Sequence, residues 1–158
     1  MKKTKRRQFL SMLGIGLGGA ALVTNKAQAH HVDTHFGDDT KHKLVYQCNK
    51  ADADYIDRVL FSCGEMMRKY GDDIELVIAA FGPGLNLLAK RPERPISRLQ
   101  QQRVKSLTEY GVRFQACGNT MSSMQWTEKD LIGDFKVVKI GIDGIMKLQE
   151  QGFSYISM

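Results

Sequence analysis

Residues 74–81 form a continuous apolar run broken only by Glu75. A run this short, without alternation, fits a strand covered on both faces, and such strands belong to parallel sheets with helices above and below. The rest of the chain supplies the other parts of that fold. Residues 44–48 read as a first strand, with Asn49 as the cap of a helix over 52–70. There the apolar positions Tyr55, Ile56, Val59, Leu60, Cys63, Met66, Met67 and Tyr70 recur at three-and-four spacing, and Gly71 stops the pattern. A second helix spans 97–110, with Leu99, Val104, Leu107 and Tyr110 expected inward and Gly111 ending it. Residues 111–117 form a strand that ends in Cys117 and runs into a Gly118-Asn119-Thr120 turn. A short capped helix at 127–130, a strand at 135–140, a helix at 142–151 and a strand at 153–156 complete the chain. This alternation predicts an α/β fold, a three-layer α/β/α sandwich around a mostly parallel five-stranded sheet.

Three segments follow from composition: a leader over 1–29, an arm over 30–42 and a folded domain over 43–158. The leader has a basic start (Lys2, Lys3, Lys5, Arg6, Arg7), a Gly-rich apolar stretch too short to cross a bilayer, and a small-x-small cleavage site at Ala27-Gln28-Ala29. Arg6-Arg7-Gln8-Phe9-Leu10 fits a twin-arginine export address, although Lys5 and Ser11 depart from its usual flanks. The leader holds six of the 23 basic residues and none of the 17 acidic ones, so the remainder carries 17 of each. The formal +6 charge therefore belongs to the leader, and neither nucleic acid nor, after cleavage, a membrane is an expected partner. The expected location is the periplasm.

All four histidines lie in the arm, three of them (His30, His31, His35) near the expected mature terminus. The arm reads either as a solvated tether or as a metal site, since imidazole is the commonest metal ligand. Without a histidine the domain lacks a conventional general base. It also lacks a C-x-x-C pair, a phosphate-binding loop and a dinucleotide fingerprint. That argues against hydrolase or acyl-transfer chemistry, calls for no cofactor, and leaves thiol chemistry or simple binding.

Three cysteines in an oxidising compartment leave at least one unpaired. Cys63 lies on the apolar face of its helix, roughly 15–20 Å along the axis from the strand's carboxyl end, and reads as a core residue. Cys48 and Cys117 both end strands, and whether they meet depends on strand order. Cys117 is the stronger nucleophile candidate, because Gly118, Asn119 and Thr120 place donors next to it and the thiolate is the reactive form. Gly82-Pro83-Gly84 turns the second strand into a helix start, where Gly82 and Gly84 serve either as an anion-holding turn or as a tight connection. Arg91 and Arg94, in a Pro-punctuated basic loop, are either a solvated face or cations that lower the pKa of the thiol.

The strand G-V-x-F-x-x-C followed by G-N-T-M, in a chain ending Leu-Gln-Glu-Gln-Gly-Phe-Ser-Tyr-Ile, resembles the DsrE/DsrF-like family of small sulfur-relay proteins over residues 43–158. The resemblance implies that Cys117, at the position of the family's sulfur-carrying cysteine, is the catalytic residue and works unpaired. It gives the Gly82-Pro83-Gly84 turn a family counterpart, and it implies a trimer or hexamer. In such an assembly Met121, Met124 and Met158 offer apolar surface to a neighbour. The expected function is a sulfur carrier or sulfurtransferase acting through a cysteine persulfide, with a sulfur donor or acceptor protein or a small sulfur compound as partner. The relay proteins of this family act in the cytoplasm, and the export address departs from that pattern. A metal or small-ligand binder built on the histidine arm is the alternative.

Overall fold

The computed structural model describes residues 41–158. The leader, its export address and the candidate metal residues His30, His31 and His35 lie outside the described residues. His42, assigned above to the arm, already belongs to the first strand.

Five strands form one sheet in the order β4-β3-β2-β1-β5, and every pairing is parallel. They are β1 His42–Cys48, β2 Ile74–Ala80, β3 Arg113–Cys117, β4 Lys136–Val138 and β5 Ser154–Ile156. β2 is central and buried along almost its whole length, as the apolar run requires. Its alternate residues feed two cores. Ile74, Leu76, Ile78 and Ala80 pack with the helices α1 Ala53–Tyr70 and α2 Arg98–Glu109. Val77 and Ala79 pack with α4 Gly141–Glu150. Each fully buried large apolar side chain contributes about 1.5–3 kcal/mol, so a strand buried on both faces ties the three layers together.

Local differences from the sequence expectation have identifiable causes. Asp52, not Asn49, caps α1, because the Tyr55 amide donates to Asp52 Oδ1 at 2.9 Å. Asn49 instead donates its own amide to the Tyr55 hydroxyl at 3.2 Å. In α2 the inward stripe is Gln100, Val104 and Leu107, while Leu99 and Tyr110 are 57% and 73% exposed. Gln100 takes the buried place because it is fully bonded there. Its Oε1 accepts from the Ser97 amide at 2.9 Å in a capping box, and its Nε2 donates to the Ala53 carbonyl at 3.1 Å. β4 pairs for only three residues, since it lies at the sheet edge with β3 on one side. The Gly118-Asn119-Thr120 turn continues as a short helix, α3 Gly118–Ser123. Met121, expected to be free for a neighbour, is buried in the molecule's own core, with Met124 and Met158 packed against it.

Beyond β2 the chain forms a 3-10 helix, Gly82–Leu88, at the level where β1 ends. The Phe81 amide donates to the Cys48 carbonyl at 3.0 Å, and Gly84 lies against the same peptide. A Cβ on Gly84 would stand 2.2 Å from the Cys48 oxygen, a backbone atom that cannot turn aside. Gly84→Ala is therefore expected to destabilise the protein by about 3 kcal/mol or more, the upper range of overpacking, as read from urea unfolding. Gly64→Ala, where nothing lies within 4 Å of the added carbon, is the control and should be neutral or stabilising.

Candidate functional site

Cys117 is the last residue of β3 and stands at the N-cap of α3. Strand side chains alternate between faces. Phe114 and Ala116 belong to the layer of α1 and α2, so Cys117 faces α4, and the Gly141 amide of α4 donates to Sγ at 3.2 Å. Cys48 faces the opposite layer. In register, Cys48 pairs with Ala80 and Ala80 with Ala116, so β2 separates the two cysteine-bearing strands. Two strand steps span roughly 10 Å, beyond the reach of a disulfide. All three cysteines are free, and Cys63 is a core residue on α1, as its spacing implied.

The three thiols differ sharply in their electrostatics. Burial alone acts on Cys48 and Cys63 and pushes each up to about 12. At Cys117 burial is also the largest single influence and also pushes upward. It is outweighed by hydrogen bonds from the Thr120 hydroxyl and from the amides of Thr120, Gly141 and Asn119, so the pKa of Cys117 lies below the ordinary thiol value. Thr120 is held for this task, because its Oγ1 accepts the Gly82 amide at 3.0 Å and its own hydrogen is left to donate. Gly82 has a φ of +52° and so costs nothing in a conformation that side chains avoid. Gly82 and Gly84 thus enter the site through Thr120 and through packing. Gly118 has ordinary van der Waals room for a Cβ, and Asn119 also donates its amide to the Lys139 carbonyl at 3.1 Å.

Neither Arg91 nor Arg94 is among the groups that lower the Cys117 pKa. Their loop is anchored by fully buried Asn86, whose Oδ1 accepts from the amides of Glu93 and Arg94 at 2.7 and 3.1 Å. Sequence reasoning missed Gly141. A Cβ there would stand 2.9 Å from Phe81 Cβ and 3.2 Å from Cys117 Cβ, so only glycine lets the α4 backbone reach the sulfur. Its signal was the pair Gly141 and Gly144, three residues apart on one helix face. Among the described residues no group of three or more His, Cys, Asp or Glu is placed to hold a metal.

The site is a strand-end thiol with a lowered pKa on an all-parallel sheet, and comparison with known families shows which family carries it. The DsrE/DsrF-like family model matches residues 42–158, from the first residue of β1 to the end of the chain. The chain belongs to the DsrE/DsrF-like family. That family is linked to sulfur relay. Among solved structures, a protein of unknown function, MTH1491 from Methanobacterium thermoautotrophicum, is similar, with a TM-score of 0.66 and 25% identity. The similarity covers 74% of this chain and 99% of that one. Comparison with curated proteins found no match.

The pKa directions give a direct expectation for thiol labelling. In the native protein Cys117 should be alkylated with a midpoint below the usual thiol value of about 8.5, while Cys48 and Cys63 resist until the chain unfolds. Thr120→Val should shift that midpoint to higher pH and slow labelling at neutral pH roughly fivefold or more, the scale of one hydrogen bond to a charged atom. The sign for stability follows. A thiol whose folded pKa is lowered favours the fold above its unfolded pKa, and that contribution is lost as pH falls through the folded value. Cys48 and Cys63 do the reverse, favouring the fold below the unfolded thiol pKa and losing that contribution as pH rises toward about 12.

Proposed function

We propose that this protein is an exported sulfur carrier or sulfurtransferase of the DsrE/DsrF-like family, holding sulfane sulfur on Cys117 as a persulfide in the periplasm. The observation that carries the reading is the contrast among the thiols: only Cys117 combines a strand-end position with a lowered pKa. In loading, the Cys117 thiolate attacks the outer sulfur of a donor persulfide. A new S–S bond forms on Cys117, the donor's S–S bond breaks, and the donor sulfur leaves as a thiolate with the bonding pair. In unloading, an acceptor thiolate attacks the outer sulfur of the Cys117 persulfide and Cys117 leaves as the thiolate. The Gly141 amide and Thr120, which stabilise that thiolate, favour its departure. Both steps are redox-neutral exchanges and call on no oxidant.

Cys117 is only 5% exposed, so the outer sulfur needs a partner surface that reaches the end of β3. Ile140, Ile142 and Met146, exposed at 45%, 66% and 49% around the start of α4, offer apolar area for such contact. They support assembly into a homo-oligomer beside the thiol, in place of the buried Met121. The export reading rests on the leader's paired arginines and its Ala27-Gln28-Ala29 site.

Incubation with a persulfide donor should add one sulfur atom, about 32 Da by intact mass, that Cys117→Ser abolishes and Cys63→Ser retains. Absence of the adduct with every donor, or its survival in Cys117→Ser, overturns the reading. For export, the processed chain should begin at His30, and Arg6→Lys with Arg7→Lys should keep unprocessed protein inside the cell. Processing that is indifferent to the arginine pair would refute twin-arginine export.

A further inference from the structure

α4 leaves part of its sheet face uncovered. Between it and the β3–β4 edge lies a cleft of about 140 Å³, lined by Gln115 and Lys136 from the sheet and by Gly144 and Lys147 from the helix. Gln115 and Lys136 are register partners across the two strands. Cations from three elements border this cleft, Arg113, Lys136 and Lys147, and no carboxylate lines it. Arg113 pairs with Glu75, and Lys147 with Asp143 at 2.8 Å, but half-exposed pairs of this kind are weak and yield to a competing anion. Lys136 makes no ion pair among the described residues.

Gln115 supplies an independent observation. It is 9% exposed, and its Oε1 is the one buried side-chain oxygen or nitrogen without a hydrogen-bond partner among the described residues. Gly144 makes the room for it, since a Cβ there would stand 2.8 Å from Oε1 and 3.0 Å from Val138 Cγ2. A buried acceptor without a donor is a standing cost to stability. Oε1 is closed to solvent, so a ligand that brings a donor to the cleft floor removes that cost by drawing the Gln115 side chain toward it.

We propose that this cleft binds a small carboxylate or oxyanion that also carries a hydrogen-bond donor, such as a hydroxy acid or an amino acid. The cations hold the anionic end, and the hydroxyl or ammonium group satisfies Gln115. A cavity of about 150 Å³ accommodates benzene, so an occupant of about six non-hydrogen atoms fits. The site does not rest on the thiol's role, although Val138 in its wall is the register partner of Cys117 and the occupant would lie on the thiol's side of the sheet.

Three probes separate the requirements: glycolate has charge and donor, acetate has charge alone, and glycolamide has the donor alone. Titrated into the isotope-labelled full chain, glycolate should shift the amide resonances of Gln115, Lys136 and Gly144 saturably. It should bind about fivefold or more tightly than either control, the scale of one hydrogen bond or charge contact. Lys136→Gln should weaken glycolate by a similar factor, and this exposed edge residue is replaceable without harm to the fold. Gln115→Leu should erase the preference for glycolate over acetate, whereas Cys117→Ser should leave it unchanged. No saturable shift at those amides, equal affinity for acetate and glycolate, or indifference to Lys136→Gln would overturn the proposal.

Discussion

The parallel pairing of β2 with a neighbour on each side is the constraint on which the rest depends. Its backbone groups are satisfied only if β1 and β3 run beside it in one direction, so the carboxyl ends of all three arrive together. That alignment brings the Cys48 carbonyl, the Gly82-Pro83-Gly84 turn and the Cys117 thiol to one edge. The turn then locks the edge. Gly84 presses on the Cys48 peptide, and Gly82 hands its amide to Thr120, which belongs to the helix that follows Cys117. Backbone close packing at the end of β1 is thereby coupled to the electrostatics of a sulfur two strands away.

The same residue type behaves differently at three positions because two opposing terms are weighted differently. Burial disfavours every thiolate, and at Cys48 and Cys63 nothing opposes it. At Cys117 the charged sulfur would sit where a strand ends and two helices begin, among amide hydrogens that have no helical partner of their own. Placing a cysteine there turns unavoidable helix-start donors into stabilisers of a thiolate. An acidified thiol arises without a histidine or a cationic neighbour, in keeping with a domain whose histidines are confined to its N-terminal end.

Much of this was legible in sequence, because periodicity reports which residues must be buried. The apolar run of β2, the three-and-four spacing of α1 and the strand-to-turn change at Cys117 each follow from the geometry of a single element. The errors fell where a polar residue took a buried place or an apolar one was left out. Gln100 displaced Leu99 because its amide is fully bonded inside, and hydrophobicity alone does not register that. Met121 went into the core because α3 turns it inward, a direction that an expected turn did not specify.

Sequence by itself determined the layer class and the parallel character of the sheet, and it offered Cys117 as the candidate thiol, since these depend on local pattern and on residues adjacent in the chain. Tertiary structure alone decided the strand order, the opposite facing of Cys48 and Cys117, the role of Gly141 and the orphaned oxygen of Gln115. Each of these is a relation between elements far apart in sequence. The donor that holds the Cys117 sulfur comes from a residue 24 positions away, and the glycine that makes room for Gln115 comes from the same helix. Local preferences carry no record of such distances, because only the packing of α4 against β3 brings those atoms together.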